Sequence, residues 1–109
     1  LKLDNLVVIV DNNNIQGSGY VDKIMPVVDP LIGAALQSGW TVTEMDGHDD
    51  DAWEQFEVLD GFKINHNSPH LIVAHTIKGR GVSFMENQPK WHSNWLGGEM
   101  LEKARQELT

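Results

Sequence analysis

The sequence predicts an α/β fold in which a parallel sheet carries helices on both faces. Two nearly continuous apolar runs, at residues 6–10 and 70–76, are typical of strands that are buried on both faces. Between these runs the apolar residues recur at helical spacing. Strands that alternate with helices along a chain indicate a parallel sheet with right-handed crossover connections.

The first half of the chain supplies one strand and one long helix. Residues 6–10 form the first predicted strand. The apolar spacing after it predicts a helix over 25–37, with Pro26 and Pro30 near its first turn, where a missing N–H is harmless. Gly39 follows that helix, in the position where glycine commonly ends one.

The second half continues the alternation. Asp50 or Asp51 can cap the helix that begins there. His70 opens the third strand, which ends near Thr76. The predicted elements of this half are a strand at 40–45, a helix at 52–62, a strand at 70–76, an irregular aromatic stretch at 82–98 and a helix at 99–108.

Composition excludes several classes of protein. The 109 residues suffice for one domain, and 16 acidic against 8 basic residues give a net charge of −8, which argues against binding to nucleic acid or anionic membranes. Without cysteine, neither a disulfide nor a thiolate metal site is possible. The absence of cysteine makes a cytoplasmic location compatible with the sequence. No apolar run approaches a membrane span, and no signal peptide is visible. Because Leu1 starts the sequence in place of Met, we interpret the chain as a fragment or a partial chain.

Oxygen-bearing side chains follow the first strand, where parallel sheets bind ligands. Residues 11–15 read Asp-Asn-Asn-Asn-Ile, and these hard oxygen donors suit Mg²⁺ or Ca²⁺. Asn and Asp are also common turn residues, which leaves a purely structural interpretation open.

A basic, glycine-rich loop follows the third strand. Lys78 and Arg80 alternate with two glycines whose backbone can approach an anion, although a plain turn with solvated bases is equally compatible. Together with the oxygen donors, this loop suggests a metal-bridged diphosphate.

The five histidines differ in the functions that their positions allow. His92 lies between two tryptophans and can act as an acid, a base or a phosphate donor, or can simply be packed. For His48 a solvated surface position is the better interpretation, and His75 can bond backbone at a strand end. His66 and His70 are expected to be structural.

Several segments together resemble transketolases, specifically their thiamine-diphosphate-binding N-terminal region. They are the Val-Asp-Asn-Asn-Asn-Ile-Gln run at 10–16, Asp-Gly-His-Asp at 46–49, the stretch 74–87 and Trp-His at 91–92. The likeness covers nearly all 109 residues in order, and residues 75–87 are its most specific part. The chain especially resembles split bacterial or archaeal transketolases, whose N-terminal half is a separate polypeptide.

The resemblance implies a cofactor site for thiamine diphosphate and Mg²⁺ (or Ca²⁺). By this likeness Asn13 offers its side-chain oxygen and Ile15 its backbone carbonyl to the metal. Ile77 corresponds to an apolar residue beside the cofactor rings and Lys78 to a basic residue near the cofactor. His92 corresponds to a histidine that contacts the diphosphate and lies close to the substrate.

The resemblance also implies partners. The family's Gly-Asp-Gly segment, with an Asp metal ligand, does not occur in residues 1–109 and would precede Leu1. The pyrimidine-binding domain or subunit, which supplies a Glu that activates the cofactor, would complete a homodimer or heterotetramer. Gly17 stands where the family often has a larger aliphatic residue. Residues 1–109 would then be the C-terminal part of the thiamine-diphosphate-binding domain, inactive in isolation.

The implied reaction is transfer of a two-carbon ketol unit from a ketose phosphate to an aldose phosphate, a step of the pentose phosphate pathway and of carbohydrate metabolism. Two alternatives stay open. One is another thiamine-diphosphate enzyme, such as a deoxyxylulose-phosphate synthase or an α-ketoacid dehydrogenase component. The other is a noncatalytic fragment that keeps only the fold.

Overall fold

The computed structural model describes residues 3–54 and 67–109 of the chain. They belong to two compact units. We call the first, within Leu1–Asn12 and Val27–Thr76, the sheet unit. The second, within Asn13–Pro26 and Ile77–Thr109, is called the loop unit.

The elements of secondary structure alternate much as the sequence predicts. The strands are β1 (Val7–Asn12), β2 (Ile15–Gln16), β3 (Gly19–Tyr20), β4 (Thr41–Asp46) and β5 (His70–His75). The helices are α1 (Val21–Ile24), α2 (Val28–Gln37), α3 (Asp50–Glu54) and α4 (Glu99–Glu107), with one 3₁₀ turn at Pro89–His92.

The sheet unit contains a parallel sheet with the strand order β1–β5–β4. In both pairs His70 is level with the first paired residue, and His75 is level with Asn12 of β1 and with Asp46 of β4. The carboxyl ends of all three strands therefore lie at the same edge, as predicted for a parallel sheet.

The central strand is β5 and not β1. Leu71, Ile72 and Val73 of β5 are at most 2% exposed, because a neighbouring strand lies on each side. In β1, Ile9 is 51% exposed, and β1 pairs with β5 alone among the described strands. The prediction that residues 6–10 are buried on both faces is therefore wrong for the part of the chain that the structure describes.

Helix α2 covers one face of the sheet and ends as predicted, but it starts later. Met25 has φ −155° and ψ 82°, an extended conformation that Pro26 favours in the residue before it. The helix predicted over 25–37 therefore begins only at Val28, and α1 lies before the predicted range. At the other end, Gly39 has φ +78° and Trp40 N–H donates to the carbonyl of Ala35 at 3.0 Å.

The core of the sheet unit lies between α2 and the sheet. Its buried members are Ala35, Leu71 and Val73. The partly buried residues packed against them are Val8, Val10, Val28, Ile32, Trp40 and Val42.

Helix α3 begins at a different cap from the one predicted. The Asp49 carboxylate accepts the N–H groups of Asp51 at 3.0 Å and Ala52 at 3.3 Å, so Asp49 and neither Asp50 nor Asp51 caps the helix. The remainder of the helix predicted over 52–62 lies outside the described residues, and so does His66. Across residues 3–54 and 67–109, no helix is long and apolar enough to cross a membrane.

The loop unit is built from a hairpin, short helical turns and α4. The antiparallel strands β2 and β3 pair Ile15 with Tyr20 around a two-residue connection, a hairpin that the sequence pattern did not predict. Ile15 and Val82 are buried. The rings of Phe84 and Trp91 meet edge to face, with centroids 5.7 Å apart.

Candidate functional site

The five residues predicted to form the site all belong to the loop unit. Asn13 and Ile15 lie at the start of its first segment, and Ile77 and Lys78 at the start of its second. His92 is the last residue of the 3₁₀ turn. Folding brings together two segments that are distant in sequence.

The asparagines after β1 form a tightly bonded turn. The Asn13 side-chain oxygen accepts the Ile15 N–H at 2.9 Å. Asn14 has φ +56°, and its side-chain oxygen accepts the Asp22 N–H while its carbonyl accepts the Val21 N–H, both at 2.9 Å. These bonds show that Asn13 and Asn14 are turn residues, which is the structural interpretation that the sequence left open. A carbonyl oxygen has two lone pairs, so this role is compatible with a metal bond at Asn13.

The loop after Ile77 is a packed turn. Asn87 N–H donates to the carbonyl of Lys78 at 3.0 Å, and Gly81 N–H donates to the Glu86 carboxylate at 3.0 Å. Gly79 has φ +76°, and a β-carbon there would lie 2.8 Å from the Met85 carbonyl oxygen. The glycines of the loop therefore allow close packing of its backbone, and the Gly81 N–H already has an acceptor in the Glu86 carboxylate. The side chains of Lys78 and Arg80 are the cationic groups that the loop can offer to an anion.

His92 is exposed and lies against the hairpin. A β-carbon on Gly17 would be 3.7 Å from Cδ2 and 3.8 Å from Nε2 of the His92 ring. Trp91 Nε1–H donates to the carbonyl of Phe84 at 3.0 Å, whereas Trp95 is 92% exposed. The interpretation of His92 as a residue packed between two tryptophans is therefore wrong.

Tyr20 is a residue of this region that the sequence pattern does not single out. Its hydroxyl donates to the carbonyl of Asn87 at 3.0 Å, across 67 residues of sequence. No local pattern marks this bond, because it depends on how the two segments of the loop unit pack.

In the sheet unit, a second polar group lies at the carboxyl edge of the sheet. His75 Nε2 is 2.9 Å from the Glu44 carboxylate, and its Nδ1 is 3.2 Å from the Asn12 amide nitrogen. The Thr76 hydroxyl donates to the Asp11 carboxylate. The prediction that His75 bonds backbone is wrong for its ring, which bonds side chains on both neighbouring strands.

At the opposite end of β5, His70 is buried. Its Nε2 is 2.8 Å from the Thr43 hydroxyl, and burial lowers the pKa of the imidazole below its ordinary value of 6.5. His70 is thus a structural histidine, as predicted.

The described residues do not by themselves form a complete metal site. Within 3–54 and 67–109, no group of three or more His, Asp or Glu side chains is placed to hold a metal ion. Asn13 and the Ile15 carbonyl are oxygen donors of the kind that Mg²⁺ accepts, but Mg²⁺ takes six ligands. The residues present fit a shared site to which a diphosphate, water and further protein groups contribute.

Comparison with known proteins defines the class of the chain. The family described as transketolase, thiamine diphosphate binding domain, matches residues 1–109. The chain therefore belongs to this family.

Two curated relatives and one solved structure are similar to this chain. The chain is 38% identical over 109 residues to an apulose-4-phosphate transketolase subunit of Phocaeicola vulgatus, covering 99% of this chain and 37% of that protein. It is 36% identical over 107 residues to 6-deoxy-6-sulfo-D-fructose transketolase subunit SqwG of Clostridium sp., covering 98% of this chain and 38% of the relative. The crystal structure of a transketolase from Campylobacter jejuni superposes with a TM-score of 0.78 at 30% identity, covering 98% of this chain and 16% of that one. The chain thus spans little more than a third of the length of these two curated relatives.

Proposed function

We propose that residues 1–109 are the C-terminal part of the thiamine-diphosphate-binding domain of a transketolase. The complete enzyme transfers a two-carbon ketol unit from a ketose phosphate to an aldose phosphate in the cytoplasm. The observation that carries the proposal is the family match over the whole chain. The packing of His92 on the hairpin that starts at the two candidate metal donors supports it.

We further propose that the natural protein is one subunit of a split transketolase. Two relatives that match at 38% and 36% identity are named as transketolase subunits. The partner subunit would supply the pyrimidine-binding domain, and the assembly would be a heterotetramer, or a homodimer if the enzyme is continuous. On this proposal the 109-residue chain is inactive alone.

Each candidate residue then has a distinct role. Thiamine diphosphate, when bound, supplies the carbon nucleophile of the reaction. Asn13 and the Ile15 carbonyl would hold the Mg²⁺ (or Ca²⁺) of the diphosphate, and Ile77 would give the cofactor rings an apolar contact. Lys78 would add positive charge near the diphosphate. The exposed imidazole of His92 would donate a hydrogen bond to a phosphate oxygen or move a proton of the substrate hydroxyl.

A second candidate, a noncatalytic module, rests on the incomplete set of metal donors. In the described residues Asn13 and Ile15 leave most positions of an octahedral ion to other groups. The proposed enzyme obtains an Asp ligand from a Gly-Asp-Gly segment outside residues 1–109. A noncatalytic protein would lack it. The names of the relatives favour transketolase over other thiamine-diphosphate enzymes.

The decisive experiment compares two histidine variants in the complete enzyme with its partner subunit. His92→Ala removes the proposed acid–base group, so we expect turnover to fall by about 10²–10⁴-fold while the melting temperature changes little. His70→Gln is the matched control, because His70 lies at the amino end of β5. Because His70 is buried and bonded to Thr43, this variant should lower the melting temperature and leave turnover per folded molecule unchanged.

Ketol transfer is assayed with saturating thiamine diphosphate and Mg²⁺, and melting is followed on the same preparations. A wild-type complex that binds its partner but shows no cofactor-dependent transfer would favour the noncatalytic module. Near-normal turnover in His92→Ala, with a lowered melting temperature, would remove His92 from the proposed site.

A further inference from the structure

We propose that Tyr20 is a positioning residue of this site, a role that rests on the function proposed above. Its hydroxyl bonds the Asn87 carbonyl at 3.0 Å and so ties the hairpin to the segment that carries Lys78 and His92. On this proposal Tyr20 acts through the residues that its hydrogen bond positions.

The bond joins the two halves of the candidate site. On the hairpin side, Tyr20 pairs with Ile15, whose N–H is held by the Asn13 side chain at 2.9 Å. On the other side, Asn87 donates its own N–H to the carbonyl of Lys78 at 3.0 Å. A continuous chain of hydrogen bonds and strand pairing therefore runs from the proposed metal donors, Asn13 and Ile15, to the backbone of Lys78.

The same tether fixes the surface on which His92 lies. The His92 ring is within van der Waals reach of a β-carbon built on Gly17, in the turn of the hairpin. Because glycine has no side chain, the ring faces the backbone of the hairpin turn at this position. If the hairpin shifts, the proposed metal donors move relative to His92.

The backbone at Asn87 makes this tether specific. Asn87 has φ +54°, a conformation that directs its N–H to Lys78 and its carbonyl to Tyr20. Tyr20 is 41% exposed, so water can replace its hydroxyl at Asn87 at a modest cost in stability. Loss of the hydroxyl should therefore affect alignment more than folding.

The test is Tyr20→Phe in the complete enzyme, which keeps the ring and deletes the donor. Hydrogen–deuterium exchange of the cofactor-free protein should rise in peptides that cover residues 13–20 and 85–93. The kcat for ketol transfer should fall by about three- to ten-fold, because the net free energy of one hydrogen bond corresponds to a factor of this size. The KM for the sugar phosphates should stay unchanged.

Ser83→Ala is the matched control in the same unit. It deletes the hydroxyl that donates to Glu107 of α4 at 3.0 Å, a bond that touches neither the hairpin nor the five candidate residues. It should change exchange near α4 and leave kcat at the wild-type value.

The outcomes separate the two proposals. Raised exchange together with lowered kcat supports the positioning role. Raised exchange with wild-type kcat makes Tyr20 merely structural, and unchanged exchange shows that no tether exists; either result overturns the inference. A wild-type enzyme without ketol transfer would overturn the proposed function and with it the catalytic consequence of Tyr20. The exchange measurement is made without cofactor, so it would still decide whether the hydrogen bond from Tyr20 tethers the hairpin.

Discussion

At the scale of single residues, adjacent asparagines with the same side chain act differently. Asn13 accepts the N–H two residues ahead, whereas Asn14 adopts a left-handed conformation and holds the start of α1 through Asp22. The sequence showed that donors cluster here. The backbone conformation determines which N–H each side-chain oxygen accepts.

The first prediction concerns Asn13 in the complete enzyme. Asn13→Ala should raise the apparent Mg²⁺ and thiamine diphosphate requirements together, by at least about ten-fold, because the metal loses one of its proposed oxygen ligands. Activity should recover in part at high metal and cofactor, since water fills the vacant position imperfectly.

Asn14→Gly is the control for Asn13. Glycine adopts the positive φ of residue 14 without strain but loses the bond to Asp22, so this variant should lower stability without altering the metal requirement. Titrations of activity against Mg²⁺ check both variants. An unchanged metal requirement in Asn13→Ala would reduce Asn13 to a turn residue.

The second prediction follows from the buried His70. Because burial lowers its pKa in the folded state, the unfolded chain binds a proton here that the folded chain does not. The free energy of unfolding should therefore fall as the pH drops below about 6.5. Chemical denaturation between about pH 5 and pH 8 should show this slope, and His70→Gln should flatten it. An equal slope in the variant would assign the acid sensitivity to other groups.

At the scale of elements, helix and strand ends depend on a few atoms. Met25, which precedes Pro26, is extended, so α2 begins after the residue at which apolar spacing placed its start. Asp49 caps α3 because its carboxylate reaches two backbone N–H groups. Gly39 ends α2 where the sequence placed it, since both its conformation and its backbone bonds are local. Local signals of this kind can be predicted from the sequence. Which of three successive aspartates, Asp49, Asp50 or Asp51, caps α3 could not be predicted.

The third prediction compares two glycines in different elements. Gly79→Ala should destabilise the protein by about 2–5 kcal/mol, because the residue has φ +76° and a β-carbon would lie 2.8 Å from Met85 backbone. Gly33→Ala within α2 should instead stabilise it by about 0.5–1 kcal/mol, since no atom lies within 4 Å of the new β-carbon. Denaturant midpoints of the two variants check the contrast, and a neutral Gly79→Ala would show that the turn can rearrange.

At the scale of the whole molecule, the order of the strands determines which apolar surface is exposed. The sheet order β1–β5–β4 leaves β1 paired on one side among the described strands, with Ile9 51% exposed. Leu31 and Leu36 of α2 are also exposed, at 41% and 56%. Unpaired strand edges and apolar surface favour association with another chain.

The fourth prediction is that the 109-residue chain, expressed alone, forms oligomers or aggregates. Light scattering over a range of concentrations measures this. Ile9→Lys should shift the distribution towards monomer, because a charge on an edge strand opposes edge-to-edge pairing. A wild-type chain that stays a compact monomer at every concentration would contradict the argument from the exposed edge.

The sequence by itself determined the α/β class, the buried run of β5 and the family, because these depend on local composition and on the order of short segments. It also indicated all five candidate residues by resemblance, and their roles stay predictions. Only the tertiary structure decided that β5 and not β1 lies at the centre of the sheet, and that Tyr20 reaches Asn87. Both depend on contacts between segments that are distant in sequence, and no pattern within a single segment specifies which distant segment it will meet.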